Sequence, residues 1–362
     1  MKHEFHFYRS ALATAVLLGH AGLALAADYT ITDLGTLGGT SSYAYGINSL
    51  GAVVGAAETS SGDQHAFLYS NGVMSDLGTL GGSSSEARAI NDQGQVVGSA
   101  NTANGYQQPF LYSGGVMSSL GSNGAATDIN NNGQMVVNGS ITPDGIDACM
   151  AGTGPCSAIV AGNVGTAAAI SNNGYVAVKW TANNHAHLIS NGTLADYQAA
   201  YDDQITDMGT LGGDSSEAFA VNDHGEAVGY SFTADGTPHA FLYSAGAMSD
   251  LGTLGRASMA FSINNHGQIV GLDLGNADNT ASIFLYSNGK TQKLGDLLSD
   301  GSGWSLNYPF AGINDSGQIA GTGLINGEAH AFLMTPVPVP TALWLFGSGL
   351  LGLTGLARSR KK

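Results

Sequence analysis

Residues 76 to 98 read Asp-Leu-Gly-Thr-Leu-Gly-Gly-Ser-Ser-Ser-Glu-Ala-Arg-Ala-Ile-Asn-Asp-Gln-Gly-Gln-Val-Val-Gly, and nearly the same residues return from 207 to 229. Residues 65 to 70, His-Ala-Phe-Leu-Tyr-Ser, are likewise repeated at 239 to 244. An internal repeat of this length decides the architecture before any other feature does. The fold therefore has to be derived from the repeating unit.

Each unit contains a turn of the form Asn-x-x-Gly, preceded by Ile or Val and followed by a short apolar strand. The turn begins at Asn48, Asn91, Asn130, Asn222, Asn264 and Asn314, and a degenerate copy begins at Ser171. Successive copies lie 39 to 51 residues apart. Asn and Gly supply the positive φ that a tight hairpin needs, so each copy predicts two paired strands.

A second hairpin type occurs six times, one fewer than the first. Its turns lie at residues 71–72, 114–115, 161–162, 191–192, 245–246 and 288–289. Each unit is then four short strands, and the body shows no helical periodicity. The missing seventh hairpin is split: residues 29–35 match its second half and residues 330–334 its first half.

The two halves pair only if the chain closes on itself. The sequence therefore predicts an all-β protein, a β-propeller of seven four-stranded blades whose last blade is closed by both termini. A β-solenoid is the alternative, but it needs no complementary ends. The repeated Phe of the second hairpin is expected to fill the space between blades.

The two ends of the chain lie outside this unit pattern. Residues 1–27 have a basic start, an apolar run and small residues for cleavage, which indicates a signal peptide rather than a buried helix. Residues 28–335 form the repeat body. Residues 336–362 contain 17 uncharged apolar residues, 341–357, which predict a transmembrane helix rather than a core helix. The basic residues after it are Arg358, Arg360, Lys361 and Lys362, which favour a cytoplasmic end.

The repeat body is strongly acidic. It holds 5 of the 11 basic residues and 26 of the 27 acidic ones, a net charge of −21. Such a surface repels phosphate backbones, so nucleic-acid binding is excluded as a function class.

Three stretches break the repeat, and such loops on a rigid scaffold are where binding residues concentrate. Residues 141–157 hold Cys149 and Cys156, predicted to form a local disulfide in an oxidising compartment; a metal site with Asp144 and Asp147 is the weaker alternative. The other two stretches, 197–204 and 299–309, offer as binding residues Tyr197, Tyr201, Asp202, Asp203, Trp304 and Tyr308.

The sequence has no recognisable catalytic constellation or cofactor motif. His65, His239 and His330 recur at one repeat position and are predicted to be structural. His185 and His187 face one side of a strand with no carboxylate near in sequence. The Asp and Asn residues of the turns offer oxygen ligands for Ca²⁺, although turn geometry alone explains them more simply.

The units resemble the HAF-type extracellular repeats of bacteria, through the His-Ala-Phe tripeptides at 65–67, 239–241 and 330–332. The resemblance implies an exported repeat protein. The C-terminus resembles a PEP-CTERM sorting signal: Val337, Pro338, Val339 and Pro340 stand for Val-Pro-Glu-Pro, ahead of the apolar run and the basic end. Val339 replaces the Glu of that motif. That resemblance implies export through the Sec machinery, transient anchoring in the inner membrane of a Gram-negative bacterium, processing by an exosortase, and a place in the exopolysaccharide of a biofilm.

Two functional hypotheses follow. The first is a non-catalytic surface or matrix protein that binds carbohydrate or another matrix component. The second is a polysaccharide-active lyase or glycosidase, which needs converging carboxylates; Asp202, Asp203, Asp296 and Asp300 are its candidates. The even spread of the repeat favours the first.

Overall fold

The computed structural model describes residues 29–121, 123–139, 158–159, 165–180, 183–190, 205–275, 281–298 and 302–337. These ranges are built of β-strands, with one 3₁₀ turn at Leu294–Leu297. No helix within them is long and apolar enough to cross a membrane. The segments 1–27 and 341–357, the cysteine pair, Pro338, Val339, Pro340 and the basic end all lie outside the described residues.

The described strands follow one another in short antiparallel hairpins. In chain order they are β1 (Tyr29–Asp33), β2 (Gly38–Ile47), β3 (Val53–Thr59), β4 (Gln64–Ser70), β5 (Val73–Asp76), β6 (Gly81–Ile90), β7 (Val96–Thr102), β8 (Gln107–Ser113), β9 (Val116–Ser119), β10 (Gly124–Ile129), β11 (Met135–Gly139), β12 (Ala158–Ile159), β13 (Gly165–Ile170), β14 (Val176–Trp180), β15 (Ala186–Ile189), β16 (Ile205–Asp207), β17 (Gly212–Val221), β18 (Ala227–Thr233), β19 (Pro238–Ser244), β20 (Ala247–Asp250), β21 (Ser258–Ile263), β22 (Ile269–Asp273), β23 (Ser282–Ser287), β24 (Lys290–Lys293), β25 (Trp304–Ser305), β26 (Ala311–Ile313), β27 (Ile319–Ile325) and β28 (Glu328–Pro336).

Six sheets are complete propeller blades. Blades 1 to 5 are β2–β5, β6–β9, β13–β16, β17–β20 and β21–β24, and each is four strands in sequential order. The sixth, here called the closing blade, contains β1 and β25–β28. Its β25 and β26 pair with different parts of β27, so this blade is also four strands wide.

The prediction of seven four-stranded blades is wrong in number. Between blades 2 and 3 lies a sheet of three strands, β10–β12, in which the two-residue β12 runs parallel to β11. The described structure is thus a six-blade arrangement plus this smaller sheet. In the complete blades the second strand has an antiparallel third partner instead.

The predicted pairing of the two ends is confirmed. Strand β1 runs antiparallel to β28, with Tyr29 opposite Pro336 and Asp33 opposite Phe332. The first strands of all seven sheets contact one another in sequence around the axis, and β2 contacts β26 to complete the circle. A solenoid has no such closure, because its first and last turns lie at opposite ends.

The core lies between neighbouring sheets. The repeated aromatic of the second hairpin is fully buried, as predicted, at Phe67, Phe110, Phe241, Phe284 and Phe332. Burial of each side chain stabilises the fold by about 1.5–3 kcal/mol. The second strand of a blade carries a Gly because the first strand passes close to it: a Cβ added to Gly98 would lie 2.0 Å from the Glu86 carbonyl oxygen.

The Asn of each Asn-x-x-Gly turn is buried and links its unit to the next. At Asn264, the side-chain oxygen accepts hydrogen bonds from the N–H groups of His266 and Gln268 at 3.0 and 2.9 Å. Its Nδ2 donates to Gln268 Oε1 at 2.8 Å and to the Asn314 carbonyl oxygen at 2.9 Å. The side chain thereby satisfies its full hydrogen-bonding capacity.

These donations form a ring around one end of the axis. They run from Asn48 through Asn91 and Asn130 to Ser171, and from Asn222 through Asn264 and Asn314 back to Asn48. The interruption follows Ser171, whose hydroxyl is the acceptor for the Tyr175 N–H and which has no amide to donate. The Asn that marks each turn in the sequence thus also joins neighbouring sheets by a hydrogen bond.

Candidate functional site

The first strand of every sheet except the closing blade contains a β-bulge three residues before the ring position, whereas β26 pairs with β27 without a register shift. The register shifts between residues such as Ala44 and Gly46, or Ala218 and Ala220. A bulge residue is left out of the ladder and its side chain is re-aimed. The bulge residues vary although their neighbours repeat: Tyr45, Arg88, Thr127, Ala168, Phe219 and Phe261.

Four aromatic side chains form a continuous row across neighbouring first strands, here called the aromatic arc: Phe219, Phe261, Phe310 and Tyr45. Phe219 stacks on Phe261 with ring centroids 5.6 Å apart, and Phe261 lies 5.1 Å from Phe310. Phe310 meets Tyr45 edge-on at 6.3 Å. The arc spans blades 4 and 5, the closing blade and blade 1.

Phe310 holds the most exposed and most strained place in the arc. It precedes β26, is 50% exposed, and has a φ of 72°. A bulky residue with this φ costs of order 1–3 kcal/mol, and such strain is concentrated at functional sites. The fold thus keeps this aromatic ring at the axis, although exposure of an apolar ring to water and a positive φ are both unfavourable for Phe.

Charged groups flank both ends of the arc. At one end the Arg88 guanidinium lies 5.9 Å from the centre of the Tyr45 ring and 2.6 Å from Glu86 Oε1. Burial, and then the Glu86 carboxylate, raise the pKa of the Tyr45 hydroxyl, so it remains a neutral hydrogen-bonding group. The result is an aromatic surface bordered by a donor and an acceptor.

At the other end of the arc, on blade 4, a second Glu carboxylate, Glu217, is held by hydrogen bonds. Tyr230 lies 5.7 Å from the Phe219 ring and donates to Glu217 Oε2 at 3.1 Å. Lys179 donates to the same oxygen at 2.7 Å, and this bond raises the pKa of the lysine. Phe232 meets Tyr230 edge-on at 5.9 Å and extends the aromatic surface away from the axis.

Beyond the arc, at the end with the Asn turns, the axis opens into a polar cavity of about 200 Å³. A second series of hydrogen bonds lines it from Ser49 round to Asp315, each from a backbone N–H to the next side chain at 2.7–2.9 Å. Its members are Ser49, Asp92, Asn131, Asn172, Asp223, Asn265 and Asp315. Burial raises the pKa of Asp92, but hydrogen bonds from Ser49 and Asn131 outweigh it and lower that pKa.

The carboxylates of this series are bonded to amides rather than converging on a common point. Asn265 Nδ2, for example, donates to both Asp223 and Asp315 at 3.0 Å. Within the described ranges, no group of three or more His, Cys, Asp or Glu side chains is arranged to hold a metal ion.

The histidines of the second hairpin form a repeated pair with an Asp. His65, His239 and His330 lie 2.8–3.0 Å from Asp76, Asp250 and Asp33 through Nδ1. Each Asp also accepts the N–H of the Gly two residues later at 2.7–2.8 Å. The pairs brace the loop that leads to the next unit, as a structural role predicts.

His185 also pairs with an Asp carboxylate, which lies too far away in the sequence to be recognised as its partner. Its Nδ1 lies 3.0 Å from both oxygens of Asp207, and His187 Nε2 lies 4.0 Å from the same carboxylate. Burial raises the pKa of Asp207, but the Gly209 N–H and the two histidines outweigh it and lower that pKa. The statement that these histidines have no nearby carboxylate holds for the sequence and is wrong for the fold.

Only some of the predicted binding and catalytic residues lie in the described part of the chain. Tyr197, Tyr201, Asp202 and Asp203 lie outside the described residues, as does Asp300, while Asp296 is exposed on the 3₁₀ turn.

Of the third stretch, Trp304 packs edge-on against buried Phe332 at 5.8 Å and so extends the core of the closing blade. Tyr308 lies 6.2 Å from Tyr43, beside the arc. The sequence reasoning missed Tyr45, Phe219, Phe261 and Phe310. The first three were marked by variation at one position of an otherwise constant repeat, whereas Phe310 lies one residue earlier in its unit, four before Asn314.

Known structures resemble the fold only distantly. The chain is similar to the β-propeller domain of the trilobed protease from Pyrococcus furiosus, at 8% identity over 82% of this chain and 85% of that one, with a TM-score of 0.35. It is similar to a puromycin-hydrolyzing peptidase of Mycobacterium tuberculosis, at 9% identity over 82% of this chain and 52% of that one, with a TM-score of 0.47.

A third similar structure is a mutant of the Aleuria aurantia lectin in complex with alpha-methyl-L-fucoside, at 10% identity over 85% of this chain and 98% of that one, with a TM-score of 0.32. No protein-family model matches the sequence, and no curated protein matches it. Likeness at this level concerns the fold alone, and function has to be argued from the site.

Proposed function

We propose that this protein is an exported, non-catalytic propeller that binds polysaccharide through the aromatic arc. The observation that carries the proposal is a partly exposed row of four aromatic rings at the axis, bordered by Glu86 and Arg88 at one end and by Tyr230 and Glu217 at the other. A pyranose ring has C–H groups on its faces and hydroxyls at its rim. Aromatic planes flanked by hydrogen-bonding groups complement both.

Charge supports a neutral or weakly charged ligand. With a net charge of −21 on residues 28–335, the body repels polyanions. The strained Phe310 supports the placement of the site, because backbone strain of this kind is concentrated at functional sites.

The destination proposed for the protein rests on its two ends. The basic and apolar start supports export by the Sec machinery, and the PEP-CTERM-like end supports processing by an exosortase, with a transient inner-membrane anchor. The protein then acts at the surface or in the exopolysaccharide matrix of a Gram-negative bacterium. Fractionation of producing cells, with sequencing of the mature N-terminus, tests this: a mature chain that starts near residue 28 is expected, and an intact cytoplasmic chain would refute it.

The binding test is retention of the purified full chain in a gel that contains the producer's own exopolysaccharide, with and without Ca²⁺. Phe310→Gly removes an arc ring while relieving the backbone strain, and should weaken retention about tenfold, a change of about 1.4 kcal/mol. Leu50→Ala, which trims a residue that is 76% exposed at an Asn turn, is the matched apolar control. Failure of the unmodified chain to be retained in either condition would refute the proposal.

A polysaccharide-active enzyme is the second candidate, and one observation favours it. The Asp223 and Asp315 oxygens that share Asn265 Nδ2 lie within about 6 Å of each other, in the range of glycosidase carboxylate pairs. Binding is preferred because both carboxylate oxygens of Asp223 and of Asp315 already accept hydrogen bonds from Asn172 or Asn265. Release of reducing sugar from the exopolysaccharide, abolished in Asp315→Asn, would reverse this preference.

A further inference from the structure

A polar pocket lies between blades 1 and 2, next to the Glu86 end of the arc. Its volume is about 200 Å³, which suits a single sugar ring better than a larger ligand. Both blades contribute side chains, from β4, β6, β7 and β8. The lining residues are Gln64, Ser84, Ser85, Glu86, Ser99, Asn101 and Gln107.

The pocket exists because blade 2 carries small residues where blade 4 carries large ones. Aligned on the repeat, Ser99 corresponds to Tyr230 and Asn101 corresponds to Phe232. In blade 4, the Tyr230 hydroxyl reaches across to Glu217, the counterpart of Glu86. In blade 2 that volume is open, so the same chain holds a filled and an unfilled version of one site.

Glu86 is held in a defined orientation at the pocket wall. Its Oε1 accepts hydrogen bonds from Arg88 Nη2 at 2.6 Å and Nε at 3.2 Å, and from Ser99 Oγ at 3.2 Å. Gln107 Nε2 in turn donates to Ser99 Oγ at 3.1 Å. The side chain of Glu86 is 25% exposed, so the carboxylate is fixed yet accessible. A pre-oriented carboxylate with carboxamides around it accepts from and donates to hydroxyl groups.

The pocket and the arc are contiguous. Arg88 is bonded to Glu86 on one side and lies over Tyr45, the first ring of the arc, on the other. Tyr106, 63% exposed, directly precedes Gln107, which lines the pocket. One residue of a bound chain can therefore enter the pocket while the next lies against an aromatic face.

We infer that this pocket is a specificity subsite that takes one neutral hexose residue of the polysaccharide, with Glu86 accepting from adjacent sugar hydroxyls and the amides of Gln64 and Gln107 binding the rim. The inference rests on the proposed carbohydrate-binding function and adds the class of sugar. A uronate or a phosphorylated sugar is excluded because its charge would meet the Glu86 carboxylate in an acidic body.

The test is saturation-transfer NMR of the purified full chain with D-glucose, D-galactose, D-mannose and N-acetyl-D-glucosamine, and with D-glucuronate as the charged counterpart. At least one neutral sugar should bind with a dissociation constant of about 1 mM, and glucuronate should not. Ser99→Tyr with Asn101→Phe rebuilds the filled arrangement of blade 4 and should remove the signal. Failure of every neutral sugar to bind, or equal binding of glucuronate, overturns the inference.

Two single substitutions keep the test decisive if the filled variant does not fold. Gln107→Ala should weaken binding at least fivefold. Gln108→Ala, whose side chain accepts instead from Ser119 Oγ at 2.7 Å, should leave binding unchanged. Equal binding by Gln107→Ala and the unmodified chain would place the sugar elsewhere and overturn the inference.

The two proposals fail differently. If the exopolysaccharide retains the chain through Phe310 but no monosaccharide is sensitive to Ser99 or Gln107, the subsite is wrong and the function stands. If no polysaccharide retains the chain, the function itself is wrong, whatever the pocket variants do.

Discussion

The Asn ring gives a graded prediction for stability, because its members make different numbers of side-chain hydrogen bonds. The Asn264 side chain makes four. Asn48 makes three, since Ala52 stands where the other five Asn turns have Gln or Glu. Ser171 makes one, from the Tyr175 N–H. Substitution of each by Ala removes these bonds and leaves their partners buried.

The magnitudes follow from the count. Each buried hydrogen bond contributes about 1 kcal/mol net, and an abandoned buried partner costs about that or more. The free energy of unfolding should therefore fall by about 4 kcal/mol for Asn264→Ala, about 3 for Asn48→Ala and about 1 for Ser171→Ala. The reverse change, Ser171→Asn, restores an amide donor toward the Asn222 carbonyl and should stabilise the fold by about 1 kcal/mol.

Urea denaturation of the four variants, followed by far-UV circular dichroism, measures these differences as shifts in the midpoint at constant slope. The expected order of loss is Asn264, then Asn48, then Ser171. If Ser171→Ala destabilises the fold as much as Asn264→Ala, or if all three shifts are below about 0.5 kcal/mol, the ring does not fasten the sheets together.

Three further predictions concern single positions. Gly98→Ala should destabilise the fold by about 3 kcal/mol or more, because the added Cβ would lie 2.0 Å from the Glu86 carbonyl oxygen. Gly295→Ala, whose Cβ would have nothing within 4 Å, should be neutral. Thermal unfolding compares the two variants, and equal melting temperatures would contradict the clash. Phe310→Gly should be more stable than Phe310→Ala by about 1 kcal/mol, since only Gly adopts a φ of 72° without strain. If the Ala variant melts at the higher temperature in the same experiment, the backbone at this position is not strained. Burial raises the pKa of Asp128 to about 6, from 3.8. The folded state therefore disfavours the ionised form, and stability should fall by at most about 3 kcal/mol as pH rises from about 4 to 6. Asp128→Asn should abolish this slope, and an unchanged slope would refute the assignment.

Much of the fold was predictable because its signals are local and repeated. The Asn-Gly turns fix hairpins through backbone conformation, which a short sequence window contains. The split hairpin at residues 29–35 and 330–334 predicted ring closure, which the pairing of β1 with β28 confirms. The count of complete blades was not predictable, because no local pattern specifies that β12 pairs in parallel with β11 instead of antiparallel.

The arc was hidden for a different reason. Tyr45, Phe219 and Phe261 stand at one variable repeat position, so the sequence does mark them as unlike their neighbours. Only the bulge, which re-aims those side chains, and the closure of the ring, which places the first and last units side by side, bring them within ring-contact distance. The same closure joins Asp33 to His330 across almost the whole chain.

The sequence by itself determined the repeat, the hairpins, the buried Phe positions and the joining of the two ends, since each depends on local conformational preference or on matching halves. The tertiary structure decided which residues share the axis, how many sheets are complete, and where a small side chain leaves a pocket. These depend on distances between residues about 40 or more positions apart. No periodicity records such distances, because the packing of whole sheets sets them.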